Sequence, residues 1–195
     1  NLSRVLIEKG HAEGARQIIQ ELKRDWRGNR QGEYAAAVMD SLCLQAEGEP
    51  EKAKKATEQA LALYENLAAE SNPARPVSQK ITIDLAHACL ATGATEQAQT
   101  IMRKVAAENN DNPLVIAHIE GVFSRTGHAD SGRALLDQVG REIIEINNRG
   151  VMAARSGDIE GSVRLLIEAA ERVTSVQILG NATKAICALM DQKGS

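Results

Sequence analysis

The sequence predicts an all-α chain built as a stack of antiparallel helical hairpins. Three observations lead to this prediction: the composition, a recurring glycine turn, and helical periodicity on both sides of each turn. The chain has 195 residues, of which 43% are hydrophobic but only 2% aromatic, and it contains 4 prolines. A core of Ala, Leu, Ile and Val suits closely packed helices, because alanine has the best helix propensity and lets helix axes approach.

A short pattern recurs five times along the chain. It consists of a glycine, four residues with an acidic one among them, and then Ala, Gly or Ser. The copies are GHAEGA at 10–15, GEPEKA at 48–53, GATEQA at 93–98, GHADSG at 127–132 and GDIEGS at 157–162. Their glycines lie 38, 45, 34 and 30 residues apart. Such spacing is typical of a helical repeat whose insertions fall in loops.

Each copy is predicted to be the turn of a hairpin. Apolar residues recur at helical steps before and after Gly93, for example Ile101, Met102 and Val105. Glycine ends the first helix because it tolerates the left-handed backbone conformation. Thr95, Asp130 or Asp158 then offers a side-chain oxygen near the start of the second helix. The small residue five positions after the glycine lets the two backbones come close; these residues are Ala15, Ala53, Ala98, Gly132 and Ser162.

The remaining elements follow in order. Nine residues precede Gly10, so the first helix is expected to be short. Pro73 and Pro76 predict a loop between the second and third hairpins. Gly140 lies in the shortest interval and predicts a short helix over 129–139. A last helix is predicted over 176–192, so that residues 1–195 form one repeat domain of about five hairpins, with turns near Gly10, Gly48, Gly93, Gly127 and Gly157, expected to be a piece of a longer chain.

The last full hairpin carries a resemblance to a known family. Gly150, Gly157, Ser162 and Ala169 stand at the spacings of the small residues of tetratricopeptide repeats, although Ile146 occupies a position where that family usually has tryptophan. The resemblance implies a right-handed superhelical stack, a TPR-like α-solenoid. It also implies that the first helices line a concave groove that binds an extended peptide or a partner helix.

The family's groove positions can be carried over to this chain. The transfer predicts partner-binding roles for Leu42, Gln45, Asp84, His87, His118, Arg125, Asn147, Asn148 and Arg155. The two asparagines and two arginines are favoured, because amides bond a peptide backbone and guanidinium groups hold carboxylates. The alternative is that these side chains are merely solvated or bond a neighbouring helix.

A longer stretch has a second resemblance. INNRGVMAARSGDIEGSVRLLIEAAERV, followed by LGNATKAICALM, is similar to repeats found behind receiver domains in some bacterial response regulators. This similarity implies a signalling role, with the repeats as the output or regulatory part.

Composition excludes other classes of function. The net charge of −3 argues against nucleic-acid binding. Cys43, Cys89 and Cys187 are far apart and predict buried free thiols in a reducing compartment, the cytoplasm. No apolar run is long enough for a membrane span, and no histidine cluster indicates a metal site. The single Trp26 is expected to pack at a helix end, the alternative being an exposed anchor for a partner.

The sequence therefore predicts a non-enzymatic protein-protein interaction module without a cofactor, whose partner is a protein or peptide. The alternative is a structural or assembly scaffold, such as a secretion or pilus accessory protein or a self-associating array. A homodimer is compatible with either function.

Overall fold

The structure, a computed structural model, describes residues 2–70, 77–173 and 175–194. These residues form ten helices, which confirms the predicted all-α fold. The helices are α1 Leu2–Glu8, α2 Ala12–Asp25, α3 Arg30–Ala46, α4 Pro50–Ala69, α5 Gln79–Ala91, α6 Thr95–Glu108, α7 Pro113–Arg125, α8 Ala129–Arg155, α9 Ile159–Arg172 and α10 Val176–Gly194. The chain divides into two compact units, 1–102 and 103–195. A single repeat domain over the whole chain stays a prediction, as does its right-handed superhelix.

All five predicted turn glycines separate two helices, and each has a positive φ between 74° and 88°. The same pair of hydrogen bonds recurs at every turn. At Gly93, the glycine N–H donates to Leu90 O at 3.3 Å and the next N–H, of Ala94, donates to Cys89 O at 2.8 Å. These bonds satisfy carbonyls that the helix end leaves open, in the arrangement of a Schellman motif. Gly28 also has a positive φ but lies outside the repeating pattern.

The small residues five positions after the turn glycines are all buried, as predicted. Their purpose is clearest at Gly132, where a Cβ atom would lie 2.6 Å from Cβ of Phe123 on the facing helix.

Of the three predicted cap residues, Asp158 accepts a hydrogen bond from Gly161 N. Asp130 instead lies in the first turn of α8, and Thr95 is the first residue of α6.

In the unit over 1–102, α3 is the central helix and contacts α1, α2, α4 and α5. A buried hydroxyl pair joins α3 to α4, with Ser41 Oγ and Thr57 Oγ1 2.6 Å apart. The proline loop predicted around Pro73 and Pro76 lies outside the described residues.

In the unit over 103–195, the prediction of a short helix over 129–139 is wrong. One helix of 27 residues, α8, continues through Gly140. Its buried residues form a single stripe from Gly132 to Gly150, which keeps the whole helix amphipathic. A glycine inside a helix costs only about 1 kcal/mol, so Gly140 cannot end a helix that packs on both sides of it. The first half of α8 packs against α7 through Gly132, and the second half packs against α9 through Gly150.

Alanine substitutions at three α8 glycines are expected to change stability in opposite directions. At Gly140 an added Cβ meets no atom within 4 Å, so Gly140→Ala should raise the free energy of unfolding by about 0.5–1 kcal/mol through helix propensity. At Gly132 and Gly150 the Cβ would lie 2.6 Å from Phe123 or Leu166, so overpacking of about 1–3 kcal/mol should outweigh that gain. Urea unfolding followed by circular dichroism at 222 nm measures all three. A change in the free energy of unfolding of the same sign for all three variants would contradict the packing of one continuous α8 against both α7 and α9.

Candidate functional site

Three of the predicted groove residues meet in the unit over 1–102. Leu42 and Gln45 of α3 and His87 of α5 line one pocket of about 200 Å³, together with residues of α1. Leu42 is nearly fully buried and forms an apolar floor, whereas Gln45 and His87 are partly exposed. The carry-over from the family's groove positions thus selected residues of two different helices, α3 and α5, that share one surface.

Asp84, the fourth groove residue predicted in this unit, is not open to a partner. Its side chain is completely buried one turn before His87, and Arg4 Nη1 of α1 lies 2.7 Å from its Oδ1. A buried carboxylate must be paired, because desolvation of an isolated charge is costly. Asp84 therefore joins α5 to α1 through Arg4, which itself lines the pocket.

Sequence reasoning missed the contribution of α1. Arg4, Ile7 and Glu8 line the pocket opposite α3 and α5. Arg4 Nε also donates to Glu8 Oε1 at 3.0 Å, so these two residues bring both signs of charge to the rim. The spacing of Arg4 and Glu8, four residues apart on a helix, was the available signal. This signal is weak by itself, because α1 has only seven residues.

The predicted asparagine pair is split between two environments. Asn147 is buried, and its Oδ1 accepts a hydrogen bond of 3.1 Å from Asn181 Nδ2 of α10. Asn148 is exposed on the neighbouring face of α8. One residue step turns a helix by 100°, so the two side chains leave α8 on neighbouring sides, although Asn147 Nδ2 still donates to Asn148 Oδ1 at 3.5 Å. Asn147 thus joins α8 to α10, which is the alternative that the sequence left open, while its role in partner binding stays a prediction.

The remaining predicted residues of this unit do not form one site. Arg125 ends α7 and Arg155 ends α8, and both are exposed, while His118 on α7 is partly buried. If a helix had ended near Gly140 as predicted, with a second helix folded back beside it, the two arginines would lie near each other. Because α8 is continuous, its 27 residues lie between them, a distance of about 40 Å along the axis. Within the described residues α7 contacts neither α9 nor α10.

Trp26 packs at the end of α2, as predicted, and is also partly exposed, so its alternative role as an anchor for a partner stays a prediction. One side of the indole packs on Gly32, where an added Cβ would lie 2.5 Å from the tryptophan Cβ, and 40% of the residue stays exposed. It borders a second pocket of about 330 Å³ with Leu22 and Tyr34. Burial raises the pKa of the Tyr34 hydroxyl well above its usual range.

The three cysteines are all free thiols, but they differ in exposure. Cys43 and Cys89 are buried as predicted, and burial raises the pKa of Cys43 to about 11 and that of Cys89 to about 12. Cys187 is exposed on α10, so its predicted burial is wrong. It lies on the side of α10 opposite Ala182 and Ala185, the residues with which α10 packs on α9.

Thiol labelling is expected to separate these cysteines. With an Ellman-type disulfide reagent at pH 8, one thiol per folded chain should react quickly, and Cys187→Ser should abolish that phase. Cys43 and Cys89 should react only on unfolding, because thiolate is the nucleophile and a raised pKa keeps it scarce. The raised pKa values of Cys43 and Cys89 also make the free energy of unfolding depend on pH. The contribution of the two buried thiols to stability is fully present below their ordinary pKa of 9.0 and is lost as the pH rises through about 11 and 12. Two equally fast thiols in the folded chain would contradict this assignment.

The comparison with protein families adds an independent finding. Residues 44–117 match the family model of the tetratricopeptide repeat. The matched segment contains the turns at Gly48 and Gly93 and runs from the end of α3 into α7. Neither the curated proteins nor the solved structures contain a significant match to this chain. Tetratricopeptide repeats generally mediate protein-protein interactions and are typically non-catalytic.

The residues that the structure describes contain no group of three His, Cys, Asp or Glu side chains placed to hold a metal ion. None of their helices has the length and apolarity that crossing a membrane requires. The absence of a catalytic site and of a cofactor stays a prediction from the sequence.

Proposed function

We propose that this chain is a non-enzymatic interaction module that binds a peptide or partner protein in the pocket between α1, α3 and α5. The observation that carries the proposal is the convergence of Gln45, His87, Arg4 and Glu8 from three helices above the apolar Leu42. An amide, an imidazole and charges of both signs can bond a peptide backbone and its side chains, while the apolar floor accepts a side chain. The match of part of the chain to an interaction-repeat family supports the same function.

Peptide display on the immobilised full chain tests this proposal. Peptides enriched on the chain should bind His87→Ala or Gln45→Ala at least about fivefold more weakly, since truncating a central contact residue typically costs more than 1 kcal/mol. Lys54→Ala on the exposed face of α4 is the matched control and should leave binding unchanged. Failure to enrich any peptide, or peptides indifferent to both pocket variants, would overturn the proposal.

The place of this module in a larger protein is also proposed: the output or regulatory part of a cytoplasmic bacterial signalling protein. Support comes from the resemblance of the stretch around Gly150 to repeats behind receiver domains. Sequencing the gene upstream of Asn1 tests it, because a receiver domain should be encoded in frame. An uninterrupted reading frame without such a domain would overturn the signalling role. Cell fractionation tests the cytoplasmic location.

A second candidate function, a self-associating scaffold, is favoured by one observation on α10. Val176, Leu179, Ile186 and Met190 follow each other at helical spacing, and Val176 and Met190 are 89% and 69% exposed. Exposed apolar stripes of this kind mark contact surfaces. Light scattering should then show a dimer or larger species that Leu179→Lys together with Met190→Lys, or removal of α10, converts to a monomer. A monomeric parent chain would overturn this function.

A further inference from the structure

The exposed side of the second half of α8 carries an unusual set of side chains. We call it the α8 stripe: Arg141, Ile144, Asn148, Met152 and Arg155. At 100° per residue these five positions fall within an arc of about 80° on the side opposite the buried residues of α8. Ile144 and Met152 are 57% and 65% exposed, which is far more than for the apolar residues with which α8 packs on α9.

Three arginines in the second half of α8 have no acidic partner in the described part of the chain. Arg141, Arg149 and Arg155 form no ion pair with any residue that the structure describes. Other arginines of the same unit do have acidic partners, as Arg103 with Glu142 and Arg172 with Glu168. Two exposed carboxylates lie near the stripe, Glu145 beside it and Asp137 one turn before Arg141, so the three arginines outnumber them and the local charge is positive by one although the whole chain carries −3.

The stripe has the dimensions of a helix-docking surface. Arg141 and Arg155 are 14 residues apart, about 21 Å along the axis, and the two apolar residues between them are about 12 Å apart. A partner helix of about four turns would span this length. Methionine adapts its shape to different partner side chains, and arginine binds carboxylates through two parallel hydrogen bonds.

From this arrangement we infer that the α8 stripe docks an acidic amphipathic helix of another protein. The apolar face of the partner helix covers Ile144 and Met152, and Asn148 bonds a polar side chain of the partner between them. Carboxylates near the two ends of the partner helix pair with Arg141 and Arg155. A second copy of this chain does not fit, because two-fold pairing of α8 with itself would bring like charges together. The stripe shares no residue with the pocket between α1, α3 and α5, so the two proposals can be tested independently.

The test uses the full chain and a fluorescent 18-residue peptide with leucines along one helical face and glutamates flanking them. Anisotropy should show binding with a Kd of about 10–100 μM. Arg141→Glu with Arg155→Glu should weaken it at least about tenfold, and Ile144→Ser with Met152→Ser by a similar factor. Arg164→Glu, an equally exposed and unpaired arginine of α9, is the matched charge control and should change the Kd by less than about twofold.

Two further peptides and one vesicle sample make the result decisive. A peptide with lysines for the glutamates should not bind, and a scrambled peptide of the original composition should bind at least about tenfold more weakly, because both apolar alignment and charge are needed. No binding of the acidic peptide up to about 1 mM, equal binding of the scrambled peptide, or an equal effect of Arg164→Glu would overturn the inference. Tighter binding to vesicles containing phosphatidylserine than to the peptide would overturn it as well. Circular dichroism confirms that each variant is folded, since exposed substitutions rarely change stability by more than about 0.5 kcal/mol.

Discussion

Phe123→Ala is expected to lower the free energy of unfolding of the unit over 103–195 by about 3–5 kcal/mol. Phe123 is the one phenylalanine of the chain, and its ring is completely buried between α7 and α8. The absence of a side chain at Gly132 brings the α8 backbone against it, so no neighbouring side chain can move in to fill the cavity. Among the helices α8, α9 and α10, α7 contacts only α8, and Phe123 is the largest of the three buried side chains of α7.

Hydrogen exchange with mass spectrometry would show where the stability is lost. Exchange should accelerate first in peptides of α7 and the first half of α8, while urea unfolding gives the total change. Leu114→Ala is the matched control on the same helix, because Leu114 is 81% exposed and should change stability by less than about 0.5 kcal/mol. Equal effects of the two variants would mean that Phe123 does not hold α7 in place.

Arg4→Ala is expected to have an effect of similar size in the unit over 1–102, about 3–5 kcal/mol. The substitution removes the guanidinium 2.7 Å from a carboxylate that has no solvent exposure. Removing one partner of a buried ion pair is costly because the other charge stays desolvated. Trp26 is the one tryptophan and lies in this unit, so its fluorescence during urea unfolding follows the relevant transition.

A double substitution separates the lost ion pair from lost packing. Arg4→Leu with Asp84→Leu removes both charges and should recover most of the stability, because apolar residues can replace a buried pair at little cost. Arg24→Ala, which breaks an exposed pair with Asp25, should cost well under about 1 kcal/mol. If Arg4→Ala were no more destabilising than Arg24→Ala, or if the double variant were the least stable, the buried pair would not be what holds α1 to α5.

These two sites differ in how far the sequence could predict them. The contact of Phe123 with Gly132 lies within one hairpin, and the small residue five positions after Gly127 predicted a close approach there. The pair of Arg4 with Asp84 joins residues 80 positions apart on α1 and α5, and no local pattern indicates it. The same holds for the bond between Asn147 and Asn181, which turned a predicted binding residue into a contact between helices.

Helices, turns and packing glycines of this chain follow from local rules. A glycine with positive φ, the two hydrogen bonds around it and the small residue after it all lie within about ten residues, so the printed sequence contains them completely. Which side chains remain available to a partner depends on longer distances. The continuation of α8 through Gly140 placed Arg125 and Arg155 at opposite ends of a helix, and a single 100° step buried Asn147 while exposing Asn148. Exposure depends on which helices pack against each face, and that became known only when the helices were seen together.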